Sequence, residues 1–219
     1  MQSSFVTWVF AAAVVAWLLV RLWLVTRQVR HVSAHRGQVP SAFATTISLA
    51  THQRAADYTV AKARLSLLAM ALSAAVLLGW TLLGGLDALN LWVRDAVQPR
   101  WGDLPYQLAL LTAFTFIGGL IELPLELYAT FVVEERFGFN RMTPALFVAD
   151  MLKGAVVGAV IGLPLAALVL WIMGALGSSW WLWAWVAWVV FNLVLLVLYP
   201  TVIAPLFNRF EPLPDEALK

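Results

Sequence analysis

The chain has 219 residues, of which 62% are hydrophobic and 12% are charged, and its net charge is +2. Because a soluble domain has roughly 45–50% apolar and about 25% charged residues, this composition excludes an ordinary soluble protein and indicates a membrane protein. The absence of cysteine excludes a disulfide framework and a thiolate metal site. The small net charge, without a basic stripe, argues against a nucleic-acid partner.

Five stretches of the chain are long and apolar enough to cross a bilayer, since a span needs about 20 mostly apolar residues. Helices are the predicted conformation because isolated strands cannot satisfy their backbone groups in lipid. The predicted spans run approximately over Phe5–Val25, Leu65–Leu86, Tyr106–Tyr128, Gly154–Leu176 and Trp180–Ile203. The first is an uncleaved span and not a signal peptide, because its basic residues follow the apolar run. The sequence therefore predicts an all-α membrane protein with about five transmembrane helices.

Hydropathy and charge divide the chain into four segments. Residues 1–26 form the first transmembrane helix, and residues 27–64 form a basic cytoplasmic connection. Residues 65–210 hold four further transmembrane helices, and residues 211–219 are the start of a truncated segment. Within the basic connection, the pattern from Thr46 to Arg64 predicts a helix that leads into the second span.

Lysine and arginine are concentrated on one side of the predicted spans. The first connection and its edges hold seven of them: Arg21, Arg27, Arg30, Arg36, Arg54, Lys62 and Arg64. The second connection, which we predict at Trp92–Pro105, holds two, and the odd-numbered connections are the basic ones. The positive-inside rule therefore predicts an N-terminus outside and a cytoplasmic C-terminus.

Two carboxylates lie within the third predicted span. Glu122 and Glu126 are one helical turn apart and flank Pro124. Since a charged acid at mid-bilayer costs about 2.5–3.5 kcal/mol on insertion scales, the pair is expected to face protein or a water-filled cavity. One interpretation is a proton or cation site on a chamber wall. The other is a pair of solvated acids near the end of the span, because Glu126 almost adjoins Tyr128.

The histidines do not predict a zinc site in this chain. His31 and His35 have the spacing of the HExxH motif, but Val32 replaces the glutamate that serves as general base. The only other histidine, His52, has no recognisable spacing to them. A GxSxG elbow, a P-loop and a GxGxxG motif are also missing, so the sequence contains no complete catalytic centre.

Glycines mark two places where the backbone is expected to turn or to pack closely. The stretch FVVEERFGFN, residues 131–140, lies where the third span should end, and Gly138 is predicted to cap that helix at its C-terminus. In the fourth span, Gly154, Gly158 and Gly162 recur every four residues along one face. Small residues at this spacing predict the close approach of another helix.

The last residues predict that more chain follows. Pro212 and Pro214 break the preceding apolar run, and Asp215 and Glu216 suit the first turn of a new helix. Because this helix would stop at Lys219 after one turn, we expect a continuation beyond it.

Three blocks of sequence occur in order along the chain: ADYTVAKARL, YATFVVEERFGFNRMTPALFVADMLKG and YPTVIAPLFNRFEPLPDEALK. Together they resemble the N-terminal membrane region of the type I CAAX prenyl proteases, which are integral-membrane zinc metallo-endopeptidases, and the first block is closer to the bacterial relatives. The resemblance covers the chain from about Val39 onward. The motif positions that it singles out as supporting residues are Glu134, Glu135, Gly138, Phe139, Asn140, Thr143, Asp150, Lys153, Pro205, Phe207, Asn208 and Pro212.

The resemblance implies a helical barrel around a large water-filled chamber, with a downstream catalytic segment that carries HExxH and binds zinc in the full-length protein. No position of this chain matches the family's catalytic or metal-binding residues, so the chain is expected to bind no metal and to be inactive alone. The implied partners are the lipid bilayer, the protein's own downstream catalytic domain and a peptide or protein substrate. The implied location is the bacterial inner membrane.

Two hypotheses about the function of the chain follow. In the first, the chain forms the chamber wall of the protease, and Glu134, Glu135 and Asn140 brace the catalytic segment or the chamber entrance by polar contacts. In the alternative, it is a non-enzymatic membrane scaffold or a small ion-coupled carrier that uses Glu122 and Glu126.

Overall fold

The computed structural model describes residues 2–207, so the motif positions Asn208 and Pro212 and the segment 211–219 lie outside the described residues. The helices in chain order are α1 Gln2–Ala34, α2 Leu49–Thr81, α3 Gly85–Trp101, α4 Asp103–Tyr128, α5 Glu135–Phe137, α6 Pro144–Ala175, α7 Trp180–Leu198 and α8 Ala204–Phe207. Two π-helical segments join consecutive helices, Ala129–Glu134 before α5 and Tyr199–Ile203 before α8.

Five helical segments of the described chain are long and apolar enough to cross a membrane. They are Phe5–Ala34, Leu49–Thr81, Asp103–Phe137, Pro144–Ala175 and Gly177–Phe207. Each contains most or all of one predicted span, so the prediction of an all-helical chain with five spans is confirmed. Most of the large apolar side chains are exposed, which suits helices whose solvent is lipid.

The second span begins earlier than its hydropathy suggested. The Ser48 hydroxyl accepts a hydrogen bond from the Thr51 backbone N–H at 3.2 Å and so caps the first turn of α2. From Leu49 this helix runs for 33 residues without a break. The helix predicted from Thr46 and the span predicted from Leu65 are therefore one element, which carries polar side chains out of the apolar region.

Most of the connection predicted at Trp92–Pro105 lies between the second and third spans, and much of it is helical. The chain turns after α2 at Gly84, whose φ is 79°, and α3 then runs over Gly85–Trp101 with Pro99 in its interior. Hydropathy did not reveal this helix because its polar residues interrupt the apolar run, and Asp87 in its first turn suits the positive end of a helix dipole.

The described chain packs as two compact units. The first contains the chain up to Asp95 together with Thr112–Arg141, and the second contains Ala96–Leu111 and the chain from Met142 on. In the first unit, α1 and the π-helical segment before α5 both pack against α2, and in the second, α6 packs against α7. The buried apolar side chains of the first unit are Ala56, Ala74, Leu89, Val93, Val133 and Phe137, and those of the second are Phe147 and Ile172.

The glycine face of α6 does not pack against a helix of its own unit. A Cβ atom placed on Gly154, Gly158 or Gly162 would meet nothing within 4 Å. The predicted close approach of another helix is therefore wrong for the described part of the second unit, because α7 packs against other positions of α6.

Candidate functional site

The turn after the third span is formed by local backbone hydrogen bonds. The helix α4 continues through the π-helical segment into α5, and π-helical turns are rare and occur often at functional sites. Gly138 ends α5 in the left-handed region at φ 75°, which confirms the predicted C-cap. The carbonyl of Glu134 accepts bonds from the N–H groups of Phe139 at 2.9 Å and Asn140 at 3.3 Å. The carbonyls at the end of the helix therefore have partners within the turn.

Glu134 is the side chain that attaches this turn to α2. The Tyr58 hydroxyl donates to both carboxylate oxygens, at 2.7 Å to Oε1 and 2.9 Å to Oε2. The Lys62 ammonium lies 3.3 Å from Oε1 and 5.2 Å from the centre of the Tyr58 ring. Tyr58 and Lys62 are one helical turn apart on α2, so a single face of that helix presents a hydroxyl and a cation to one carboxylate.

A second set of contacts surrounds the aromatic residues of the turn. The Arg54 Nη2 atom donates to the backbone carbonyl of Phe137 at 2.7 Å. The Tyr58 ring contacts two phenylalanine rings, with its centroid 5.2 Å from that of Phe137 in an edge-to-face arrangement and 4.8 Å from that of Phe139. Phe137 is buried, whereas Phe139 is exposed. Arg54, Tyr58 and Lys62 thus form one row along α2 that holds the turn in place.

Glu135 does not take part in the contact with α2. Its Oε2 atom accepts a hydrogen bond from Asn140 Nδ2 at 3.0 Å. This bond joins the two ends of the turn to each other across Gly138. The two adjacent acids therefore have different structural roles, since Glu134 holds the turn to α2 and Glu135 closes it.

An ion pair holds the connection between α1 and α2 to α2. Arg36 makes two parallel hydrogen bonds to the carboxylate of Asp57, from Nε at 2.7 Å and from Nη2 at 2.8 Å. The hydrogen bond to Asp57 and the negative charge of that residue raise the pKa of the Arg36 guanidinium above its ordinary value. This paired geometry is the one that arginine adopts with carboxylates. The pair was not predicted, because its members are 21 residues apart.

The three histidines come close together but do not form a metal site. The His31 and His35 rings lie 4.2 Å apart, His35 Nδ1 is 2.8 Å from the His31 carbonyl oxygen, and His52 Nε2 is 3.1 Å from the His35 carbonyl oxygen. One ring nitrogen of His35 and one of His52 therefore contact backbone carbonyls. Across residues 2–207, no group of three or more His, Cys, Asp or Glu side chains could hold a metal ion.

The remaining predicted motif residues that are described lie in the second unit. Thr143 caps α6, because its Oγ1 accepts from the Leu146 N–H at 3.2 Å. Asp150 and Lys153 form an ion pair within α6, with Oδ1 and Nζ 3.3 Å apart. The other two described positions, Pro205 and Phe207, belong to α8.

Glu122 and Glu126 are exposed on α4. Neither carboxylate makes a hydrogen bond or an ion pair with another residue in the described part of the chain. The structure thus brings neither residue into the Glu134 cluster, and their predicted position on a chamber wall stays a prediction.

Sequence reasoning missed the α2 partners of Glu134. Arg54, Tyr58 and Lys62 were not predicted to act together, although Tyr58 and Lys62 both belong to the block ADYTVAKARL. Their i, i+4 spacing places Arg54, Tyr58 and Lys62 on one face of a helix, and this is the only signal that could have found them. Two of the three sequence blocks are therefore in direct contact through Glu134.

Comparisons with known proteins identify the family. The family model described as CAAX prenyl protease N-terminal, five membrane helices, matches residues 28–209. The CAAX prenyl protease 1 homolog of Arabidopsis thaliana is 38% identical over 133 residues, which make up 58% of this chain and 31% of that protein. The homolog of Homo sapiens is 40% identical over 117 residues, or 53% of this chain and 25% of that protein.

A solved structure has a similar fold. The crystal structure of S. mikatae Ste24p superposes with a TM-score of 0.85 at 26% sequence identity, and the match covers 94% of this chain and 48% of that one. The chain spans about a quarter to a third of the length of these curated relatives. The region matched by the family model includes both the Glu134 turn and the α2 residues that hold it, and the resemblance seen in the sequence blocks is confirmed. The chain belongs to the CAAX prenyl protease 1 (Ste24) family, as an N-terminal membrane domain with five spans.

Proposed function

We propose that this chain is the N-terminal membrane part of a zinc-dependent membrane endopeptidase of the CAAX prenyl protease type. The observation that carries the proposal is the contact of Glu134 with Tyr58 and Lys62, which joins two blocks of the family pattern into one structure. The relatives that share these blocks are named as CAAX prenyl proteases. The match to only part of those relatives supports a further, catalytic part of the protein.

In this proposal, the five spans form part of a helical barrel around a water-filled chamber. A downstream segment with HExxH and a distant glutamate would hold the zinc ion, which supplies a polarised carbonyl and an activated water. The residues described here do not fit a zinc ion, because no three ligands converge. In this proposal the chain's own contribution is structural, and no step of the reaction is assigned to it.

The proposed topology places the N-terminus outside and the C-terminus in the cytoplasm of a bacterial inner membrane. It treats residues 1–26 as the first transmembrane helix, 27–64 as the cytoplasmic connection, 65–210 as the other four helices and 211–219 as the start of the catalytic segment. The excess of lysine and arginine in the first connection supports this orientation. The Glu134 turn then lies on the cytoplasmic side, together with the start of α2.

The turn residues act as positioning residues in this proposal. Glu134 holds the turn against α2, and the bond between Asn140 and Glu135 closes it. The exposed Phe139 side chain and the open edge of the turn are then presented in a defined orientation to the downstream segment. A rigid support of this kind would place catalytic groups without touching the substrate itself.

The decisive experiment uses the full natural reading frame. We expect it to continue past Lys219 into an HExxH segment, and the purified full-length protein to hold about one zinc per chain and to cleave a prenylated CAAX peptide. Glu134→Ala and Asn140→Ala should each lower cleavage several-fold while zinc content stays near one, because the turn positions the zinc segment but does not bind the metal.

A matched control is Asp95→Asn, since the Asp95 side chain is 76% exposed and its ion pair with the neighbouring Arg94 is long, with Nε and Oδ1 3.6 Å apart. Its cleavage rate should equal that of the unaltered protein. A stop codon directly after Lys219 in the natural gene would refute the proposal. Unchanged cleavage in both Glu134→Ala and Asn140→Ala would refute the positioning role alone.

A second candidate function is ion-coupled transport by Glu122 and Glu126. The observation in its favour is that both carboxylates are exposed on α4, one turn apart, with no polar partner among the described residues. A carrier of this kind should give pH-dependent cation flux in liposomes, and Glu122→Gln should abolish the flux. Absence of flux with the unaltered protein would eliminate this candidate.

A further inference from the structure

An apolar groove lies between α1 and α2 in the first unit. Its volume is about 350 Å³, and its walls include Phe10, Ala13, Val14 and Trp17 of α1 and Ala74 and Leu77 of α2. Both helices belong to segments that are apolar enough to cross a membrane. The groove therefore lies at the depth of the hydrocarbon region, where a lipid acyl chain can occupy it.

An arginine lies one helical turn beyond the groove residue Trp17. Trp17 and Arg21 are one helical turn apart on α1, so they share the face that lines the groove. The guanidinium carbon of Arg21 lies 5.8 Å from the centre of the Trp17 ring. Arg21 is exposed and forms no hydrogen bond or ion pair with another described residue. A cation next to an apolar span is costly unless it reaches a headgroup or another negative charge.

The row of α1 residues from Phe10 in the groove to Arg21, one turn beyond the last lining residue Trp17, matches one leaflet of a bilayer in length. Phe10 and Arg21 are eleven positions apart in the sequence, which corresponds to about 16 Å along a helix at about 1.5 Å per residue. The hydrocarbon core of a bilayer is about 30 Å thick, so one leaflet contributes about 15 Å. A phospholipid whose phosphate contacts Arg21 would therefore extend one acyl chain along the groove as far as Phe10.

We propose that this groove binds one anionic phospholipid of the membrane. The lipid phosphate pairs with the guanidinium of Arg21, which suits phosphate oxygens because its N–H donors form a planar fork. One acyl chain packs against Trp17, Val14 and Phe10. The apolar walls accept the chain of any phospholipid, so the preference for a negatively charged headgroup depends on Arg21.

The test is a lipid titration of the purified full-length protein in detergent, with binding counted by native mass spectrometry. The probes are phosphatidylglycerol and phosphatidylcholine with identical acyl chains. We expect the unaltered protein to bind phosphatidylglycerol about fivefold more tightly than phosphatidylcholine, since one arginine near a membrane surface contributes about that factor. Arg21→Gln should remove this preference, and Arg21→Lys should retain most of it. Ala13→Leu, which fills the groove, should weaken the binding of both lipids.

Arg27 provides the matched control, because it stacks on Trp23 at 5.5 Å in the same way, but Trp23, unlike Trp17, does not line the groove. Arg27→Gln should keep the preference for phosphatidylglycerol. The proposal is overturned if the unaltered protein binds both lipids equally, if the preference survives in Arg21→Gln, or if Arg27→Gln abolishes it to the same extent. The thermal midpoint of each variant establishes that it is folded, and if Arg21→Gln fails to fold, the results for Arg21→Lys and Ala13→Leu decide.

Discussion

Replacing Phe137 by alanine is expected to lower the free energy of unfolding by about 3 kcal/mol. Phe137 is only 8% exposed, and its ring meets the Tyr58 ring edge to face with centroids 5.2 Å apart. The substitution removes a buried aromatic ring and leaves a cavity beside Tyr58. Since Tyr58 also donates to Glu134, the contact between the turn and α2 should loosen as well. Denaturant titration of the purified protein in detergent measures the change.

Phe139→Ala is the matched control for this prediction. Phe139 is in the same turn and its ring also lies near Tyr58, with centroids 4.8 Å apart, but Phe139 is 60% exposed. Because the exposed ring buries less area, its removal should cost less than about half as much as the removal of Phe137. Equal losses in the two variants would show that burial of Phe137 is not the cause, and the prediction would be wrong.

Gly138→Ala is expected to destabilise the protein by about 2 kcal/mol. The φ of Gly138 is 75°, and placing an L-residue in the left-handed region costs about 1–2 kcal/mol. The new Cβ would also lie 3.3 Å from Arg54 Nη2. This nitrogen is held at 2.7 Å by its hydrogen bond to the Phe137 carbonyl, so Arg54 can give way only by lengthening that bond. The same denaturant titration measures the loss in free energy of unfolding.

Gly102→Ala separates the two causes of this effect. Gly102 has a φ of 80°, but a Cβ atom at that position would meet nothing within 4 Å. Gly102→Ala should therefore lower the free energy of unfolding only by the conformational cost, and by less than Gly138→Ala does. In an Arg54→Ala background, the added cost of Gly138→Ala should fall to the Gly102→Ala value. A cost at Gly138 that does not depend on Arg54 would contradict the steric part of the prediction.

Five of the family motif residues fall into two structural groups. Gly138 and Thr143 cap the ends of helices, so their identity follows from backbone geometry. Glu134 acts through side-chain contacts with another helix, and Glu135 with Asn140 closes the turn. The turn is thus specified both by the backbone and by its attachment to α2, which explains why a short polar loop contains so many residue types with defined partners.

Part of this structure could be predicted from the sequence because the signals were local. Five spans were evident from apolar runs, since the bilayer demands about 20 such residues in succession. Gly138 was identified as a cap because glycine alone tolerates the left-handed conformation without a steric cost. The helix α3 was missed because its polar residues and Pro99 resemble a loop when hydropathy is the only guide.

The sequence alone predicts five membrane-spanning helices, the end of the third span and the family to which the motif blocks point. The side chains that meet at the end of that span become known from the tertiary structure. Tyr58 and Glu134 are 76 residues apart, and Arg54 and Phe137 are 83 apart, so no local spacing encodes either contact. They form because α2 begins at Leu49 and so extends its polar row past the apolar region, where the π-helical segment packs against it.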